Sequence, residues 1–301
     1  MASLVTGAAA LLASALAPSS SLQYQRAWAR YSQFTRSVLS VSPLPSAPST
    51  IALYISHLVT PPNTAAPATL ATNISAIAYV HKLSGAEDPT SHFLIRKILK
   101  GAAKLRPAAD QRVPITHPIL LALIQAVPRI APSAYDRYLL QAMFTTMFHG
   151  FLRIGEVTAS PHNLQYHQVM LSTLAAEITF TSYKHHQGQP FTLSIPASTA
   201  HEVCPVLLLK QYLILRGTSS GPLFCSSAKA PIQPGYFRSL LAMAKAGANL
   251  SASHITPHSF RIGAATYAAT RGLSSQQIQA MGRWKSSAFQ KYVRISSISL
   301  A

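Results

Sequence analysis

The sequence predicts a mainly α-helical protein with a small β-hairpin or sheet, built as two domains. Three observations carry this. The 301 residues are enough for two cores, and 49% of them are apolar. Apolar residues recur at helical spacing in runs broken by Pro- and Ser-rich stretches. Only "AAEITFTSYKHHQGQPFTLSIPAS" alternates as paired strands do.

The first seventeen residues, "MASLVTGAAALLASALA", are as apolar as a secretion signal but lack a positive start. Leu4, Leu11, Leu12 and Leu16 fall on a helical stripe, so the segment reads as a core helix over 3–17 and the protein as not secreted. No run is long enough to span a bilayer. Further helices are expected near 20–40, 48–59, 67–84 and 90–104. The breaks "APSSS", "SPLPSAPS" and "TPPNTAAP" hold the Pro and Ser that stop one helix and cap the next.

In "PTSHFLIRKILKGAAKLR", Leu94, Ile95, Ile98 and Leu99 form the stripe expected to be buried. Arg96, Lys100 and Lys104 line up at four-residue spacing on another face. Such a face is ordinarily just solvated. With few acids nearby to pair it, these residues and Lys97 become candidates for phosphate contact. "RPAADQRVPITHP", residues 106–118, has three prolines and no apolar period, and reads as extended chain. The division is therefore a helical domain over 1–105, a linker over 106–114 and a second domain over 115–301.

The second domain opens with helices. "SAYDRYLLQAMFTTMFHG" has Ser133 as N-cap and Gly150 as terminator. In the hairpin, Ile178 and Phe180 alternate on one side and Phe191, Leu193 and Ile195 on the other, with the loop near Lys184–Gln189. Helices return from about 203. Thr256-Pro257 starts one, with His258 and Arg261 three apart on a single face. Gly272 ends it, and Ser274 with Gln277 is a capping-box pattern for the next. "GRW" breaks that helix. "SSAFQKYVR" starts a last short one, with Phe289 and Val293 inward and Tyr292 at the edge of the buried face.

Charge narrows the function. Lys and Arg number 25 against 7 Asp and Glu, a formal +18, which points to a polyanion partner. Chemistry built on two divalent ions needs clustered carboxylates. The acids are Glu87, Asp88, Asp110, Asp136, Glu156, Glu177 and Glu202, and only Glu87 and Asp88 are neighbours. Phosphate chemistry here is expected to run without metal. His162 and His167, or His185 and His186, have no Cys or acid at ligand spacing, so neither a structural metal nor a cofactor is expected. Cys204 and Cys225 make no disulfide framework and suit a reducing compartment.

Singly, each polar candidate has an ordinary explanation. Arg153 in "FLRIGEV" can simply pair with Glu156, Lys184 can be a solvated loop lysine, His258 a helix cap, Trp284 a core residue and Tyr292 half-buried packing. Their order changes the odds: Arg, a hairpin Lys, His-x-x-Arg, Trp, then Tyr. With that pattern the chain resembles the tyrosine recombinase (phage-integrase) family over nearly its whole length.

The resemblance implies roles. Arg153 would be the first catalytic arginine with Glu156 its acidic supporter, and Lys184 the hairpin lysine. His258 and Arg261 would be the His-x-x-Arg pair, Trp284 would take the His/Trp position, and Tyr292 would be the nucleophile. The helical domain looks like the family's DNA-clamping core-binding domain, and 115–301 like its catalytic domain. "GRWKSSAFQKYVR" looks closest to recombinases of eukaryotic mobile elements, DIRS-type and Crypton, which implies a nuclear site (a nucleoid if the host is not eukaryotic). Two departures stand out. Trp284 precedes Tyr292 by eight residues, one fewer than in many bacterial and phage relatives. Only nine residues follow Tyr292, so no long C-terminal exchange between subunits is expected.

The chemistry expected of such a set is strand transfer. Two guanidiniums, Arg153 and Arg261, offer paired donors to the non-bridging oxygens in place of a metal. His258 suits removal of the tyrosine proton, Lys184 protonation of the departing 5′ oxygen, and Trp284 one further N–H donor. The implied partner is double-stranded DNA, bound by a homotetramer on two sites, with no membrane and no small-molecule substrate. Two other readings stay open: a type IB topoisomerase-like relaxation enzyme, and a domesticated DNA-binding protein that no longer cuts.

Overall fold

The computed structural model describes residues 2–105, 110–183 and 188–294. The chain forms two compact units, Met1–Asp110 and Gln111–Ala301. Prolines do much of the local work. Pro18, Pro48, Pro67, Pro118, Pro205, Pro234 and Pro257 all stand in the first turn of a helix, where their missing N–H has no partner to lose and their φ is already helical.

The first unit holds α1 (Ala2–Ser14), α2 (Pro18–Ser37), α3 (Pro48–Val59), α4 (Pro67–Leu83) and α5 (Phe93–Leu105). Tyr31, Phe34, Ile51, Tyr54, Ile55, Ile77 and Ile95 form its core. His81 is buried there as the neutral tautomer. Its Nδ1–H donates to the Ile77 carbonyl (2.8 Å), and its Nε2 accepts from the Ser46 N–H (3.0 Å). Two expectations are corrected. The N-terminal segment is helical but is no core helix, since Leu4 and Leu11 are both 74% exposed. The chain bends by 93° between α1 and α2, and the leucine stripe is left outside this core. In α5, Ile95 is buried and Ile98 and Leu99 half-buried, but Leu94 is 39% exposed, so the apolar stripe is narrower than its spacing implied. Arg96, Lys97, Lys100 and Lys104 are all exposed, and the Lys97 ammonium lies 5.0 Å over the Phe93 ring.

The second unit holds α6 (His117–Ile130), α7 (Ala134–His149), α8 (Ile154–Val157), β1 (Val169–Leu171), β2 (Ala175–Phe180), β3 (Phe191–Pro196), α9 (Pro205–Arg216), α10 (Pro234–Gly247), α11 (Pro257–Thr270) and α12 (Ser275–Met281). A 3₁₀ turn at Ser287–Lys291 follows α12. The fold is thus mostly helical with one three-stranded antiparallel sheet in the order β1-β2-β3. The hairpin pairs Ala176 with Ile195, Ile178 with Leu193 and Phe180 with Phe191, which sets all six side chains on the core face. The strand β1 was not anticipated, because three residues are too few to show alternation.

Helix α7 is buried along most of its length, from Leu139 to Phe148 with only Gln141 half-exposed. Leu139, Leu140, Met143, Phe144, Met147 and Phe148 all lie in the core of this unit, and α6, α9 and α11 pack against the helix. It starts as expected, with Ser133 Oγ accepting from the Asp136 N–H (3.1 Å). Its far end delivers Gly150–Arg153 to the candidate site. Helix α11 is held by the chain that enters the unit: the Val113 N–H donates to the His254 carbonyl and the Ile115 N–H to that of Ser259. A Cβ on Gly263 would run into the Ile115 carbonyl, so this crossing needs glycine.

Candidate active site

The site gathers on the side chains of α11 and on the ends of α7 and α12. Helix α11 starts at Thr256-Pro257 as expected, although the Thr256 hydroxyl makes no hydrogen bond among the described residues. The Thr256 backbone N–H donates to Ser259 Oγ (3.0 Å). His258 and Arg261 therefore share a face, His258 half-buried and Arg261 buried. The ring of Tyr292 lies 4.9 Å from that of His258 and 5.2 Å from that of Trp284, centroid to centroid. The Arg261 guanidinium stacks on the other ring of this set, 4.0 Å from the Trp284 centroid. Tyr292 is held from behind by its carbonyl, which accepts from Thr266 Oγ1 (3.1 Å). Phe151, Ala265, Ala268, Ile278 and Phe289 form the small core under these residues.

Arg153 stands at the start of α8, 22% exposed at its side chain. The buried Glu156 carboxylate folds back to it. Oε2 accepts from the Arg153 backbone N–H (2.8 Å) and Oε1 faces Arg153 Nη1 (3.3 Å). The same Oε2 pairs with Arg283 Nη2 at 2.8 Å. Arg283 was missed from sequence, where "GRW" served only as a helix stop. Its partner is 127 residues away, and no local pattern connects them. The signal available was arithmetical: a chain with 7 acids that buries a glutamate must bring cations to it.

Two helix ends give this site its shape. In α7, the Leu152 N–H reaches the Met147 carbonyl and the Phe151 N–H that of Phe148. In α12, the Trp284 N–H reaches Gln279 and the Arg283 N–H reaches Ala280. Both are Schellman ends, which require a left-handed residue. α11 ends the same way with Gly272 in that place (φ 80°). α7 and α12 instead place Phe151 (φ 53°) and Arg283 (φ 54°) there, each buried and each preceded by glycine. A left-handed residue with a bulky side chain costs about 1–2 kcal/mol. The carbonyls at these two ends are put to use: Arg261 Nη1 donates to Phe151 O, and Nη2 to Gly282 O.

The cations crowd one another. Burial pulls Arg261 well below the ordinary guanidinium range, Arg153 and Arg283 add to the effect, and Glu156 opposes it. Burial likewise lowers Arg283, against the pull of Glu156. The Nε atoms of Arg261 and Arg283 are buried and make no hydrogen bond among the described residues. Beside Trp284 opens a cleft of about 430 Å³ walled by Tyr183, Phe191, Gln276, Gln279 and Lys285. Lys184, the expected hairpin lysine, follows Tyr183 but lies outside the described residues. Tyr267 sits elsewhere. Nine residues beyond His258 on α11, it is roughly half a turn round, stacked on His117 at 6.0 Å. Among the described residues no three His, Cys, Asp or Glu side chains come together as a metal site.

A helical unit carrying one antiparallel three-stranded sheet, with this focus at its helix ends, has the tyrosine recombinase catalytic fold. Solved structures share it. A lambda integrase dimer bound to a COC′ core site superposes with a TM-score of 0.66 at 14% identity, covering 100% of this chain and 80% of that one. The Tn1549 transposon integrase in complex with transposon right end DNA gives 0.65 at 13%, covering 94% and 91%. XerH site-specific recombinase bound to palindromic difH substrate gives 0.63 at 16%, covering 90% and 74%. No curated protein sequence matches the chain. Residues 115–297 match the model of the phage integrase family, and the chain belongs to that family of tyrosine recombinases.

Proposed function

We propose that the chain is a site-specific DNA recombinase that cleaves and rejoins DNA through a 3′-phosphotyrosine on Tyr292. The observation that carries this reading is the convergence of Tyr292 with His258 and Trp284, beside Arg261 and Arg153. A phosphodiester has one negative charge, and attack by a tyrosine oxygen raises it toward two on the non-bridging oxygens. Arg153, Arg261 and Arg283 against Glu156 alone leave a surplus of two positive charges. That surplus is what a metal-free site needs.

His258 takes the proton of the Tyr292 hydroxyl as the O–P bond forms. Arg153 reaches the phosphate from its exposed side. Arg261 still has a second N–H on each terminal nitrogen as well as its Nε. The Trp284 indole N–H adds a neutral donor. The bond to the 5′ oxygen breaks, and Lys184 supplies the proton that this oxygen takes up. The phosphotyrosine conserves the bond, so a 5′ hydroxyl from another strand reverses the step and frees Tyr292. We also assign to the first unit the core-binding role, with Arg96, Lys97, Lys100 and Lys104 on phosphates. Further parts of the proposal are a homotetramer on two DNA sites, kinship with the DIRS-type and Crypton recombinases on "GRWKSSAFQKYVR", and a nuclear location. Light scattering on two-site DNA tests the stoichiometry: a complex that never exceeds one chain per DNA would rule out the tetramer.

The central test is Tyr292→Phe. The variant is expected to bind DNA as the parent does yet form no denaturant-resistant adduct, because only the hydroxyl is removed. An adduct in the variant would remove Tyr292 as nucleophile and make Tyr267 the next residue to replace. Sequencing the DNA trapped on the parent decides the rest. Defined sites support recombination, scattered sites a type IB relaxation enzyme, and no covalent DNA a binding protein without cleavage.

A further inference from the structure

A buried arginine at the floor of the cleft beside Trp284 stands at a position where glycine is the unstrained choice. Arg283 is the left-handed residue of the Schellman end of α12. Gly272 fills the equivalent place in α11. At Arg283 the strained backbone holds a long side chain inward, and its contacts explain why. Nη2 pairs with Glu156 Oε2 at 2.8 Å, and the guanidinium lies 3.8 Å from the centroid of Phe180 at the end of β2. Glu156 in turn holds both the backbone N–H and the guanidinium of Arg153. One side chain thus joins the start of α8, the end of β2 and the turn that presents Trp284.

The neighbouring residue shows the consequence. Trp284 follows directly, with its ring on Arg261 on one side and near Tyr292 on another. A Cβ on Gly282 would run into that ring, so the turn fits Trp284 closely. Phe151, the other strained residue, meets the same indole edge-on at 6.1 Å. The eight-residue spacing from Trp284 to Tyr292 is accommodated here, with Arg283 left-handed and Trp284 against the tyrosine.

We propose that Arg283 is a positioning residue for strand cleavage: its clamp on Glu156 sets Trp284 against Tyr292 and orients Arg153 through the shared carboxylate. Its side chain, only 1% exposed, acts through that carboxylate. This rests on the strand-transfer reading above, and its test has one arm that does not.

The informative variant is Arg283→Gly, which relieves the backbone while removing the clamp, with Arg283→Lys as the conservative partner. The chain has two tryptophans, Trp28 and Trp284. In a Trp28→Phe background the emission of Trp284 therefore reports its setting without DNA. Arg283→Gly is expected to shift that emission and make Trp284 more quenchable by iodide. With DNA, single-turnover adduct formation is expected to fall about a hundredfold while the DNA Kd stays within about twofold. Arg283→Lys is expected to recover at least tenfold of that loss. Unchanged Trp284 emission in Arg283→Gly overturns the clamp whatever the activity. So does parental cleavage by the variant, or an Arg283→Lys that is no faster than Arg283→Gly. If Arg283→Gly does not fold, Arg283→Lys decides against the parent: slower cleavage at unchanged Kd supports the proposal, and an altered melting temperature with parental cleavage overturns it. A parent that forms no adduct on any DNA sinks the strand-transfer reading and leaves the tryptophan arm to decide the clamp.

Discussion

Among single residues, His149 and Lys184 make the sharpest demands. His149 ends α7 with its Nε2 buried and without a hydrogen bond among the described residues. Burial, with a smaller push from His117, depresses it from 6.5 to about 4, and a hydrogen bond with the Val203 backbone partly opposes this. Between those values the unfolded chain takes up a proton that the folded chain refuses. Stability is therefore fully present above about pH 6.5 and is lost as pH falls toward 4, by about 3 kcal/mol at most. Urea titrations across that range should show the fall in the parent and a flatter profile in His149→Gln. Equal slopes would mean that the acid sensitivity lies elsewhere.

Lys184 is tested through its leaving group. An alkoxide leaves poorly, as its conjugate acid has a pKa near that of water, about 15.7, whereas a thiol ionises near about 8.5. DNA with sulfur at the bridging 5′ position should restore cleavage by Lys184→Ala and should leave Arg153→Ala and Arg261→Ala impaired. Rescue of all three alike would take the acid's role from lysine.

At the scale of elements, the site depends on how closely α11 meets the chain entering its unit. Val113 and Ile115 bond to the backbone of His254 and Ser259, and Gly263 makes room for the Ile115 carbonyl. Gly263→Ala gains helix propensity but drives a methyl into backbone that has nowhere to move. Overpacking of this kind costs about 1–3 kcal/mol. The variant should show a lower urea midpoint at unchanged slope, and a higher midpoint would show that the crossing can relax. Ends matter as much as contacts in these helices. α11 stops at glycine and carries no strain there, while α7 and α12 stop at Phe151 and Arg283, whose side chains both turn into the site. Strain of that sort persists only where the surrounding packing over-determines it.

For the whole molecule the governing quantity is charge. A formal +18 with few acids leaves most cations available to phosphate. Log affinity for DNA should fall linearly with log salt, by roughly 0.9 for each phosphate neutralised. Replacing Lys97, Lys100 and Lys104 together by Ala should flatten that slope by about 0.9 for each lysine that touches phosphate, with sequence preference unchanged. A salt response flat in the parent, or identical in the triple variant, would remove α5 from the DNA interface.

The sequence alone determined the helical class, the hairpin and its apolar positions, and the caps at Ser133 and Ser274, because these depend on periods of two and 3.6 residues and on neighbours a few positions apart. It also ordered the candidate site, since a pattern of rare residue types survives without distances. Which side each apolar stripe faces was decided only by packing: α1 has an apolar stripe and lies outside the core, and Leu94 is half out of it. The same holds for Arg283. A buried ion pair across 127 residues, made by a residue in a backbone conformation that its type disfavours, exists only once α8, β2 and α12 have met. Local propensity argues against that conformation, and the energy that enforces it comes from the tertiary contacts themselves.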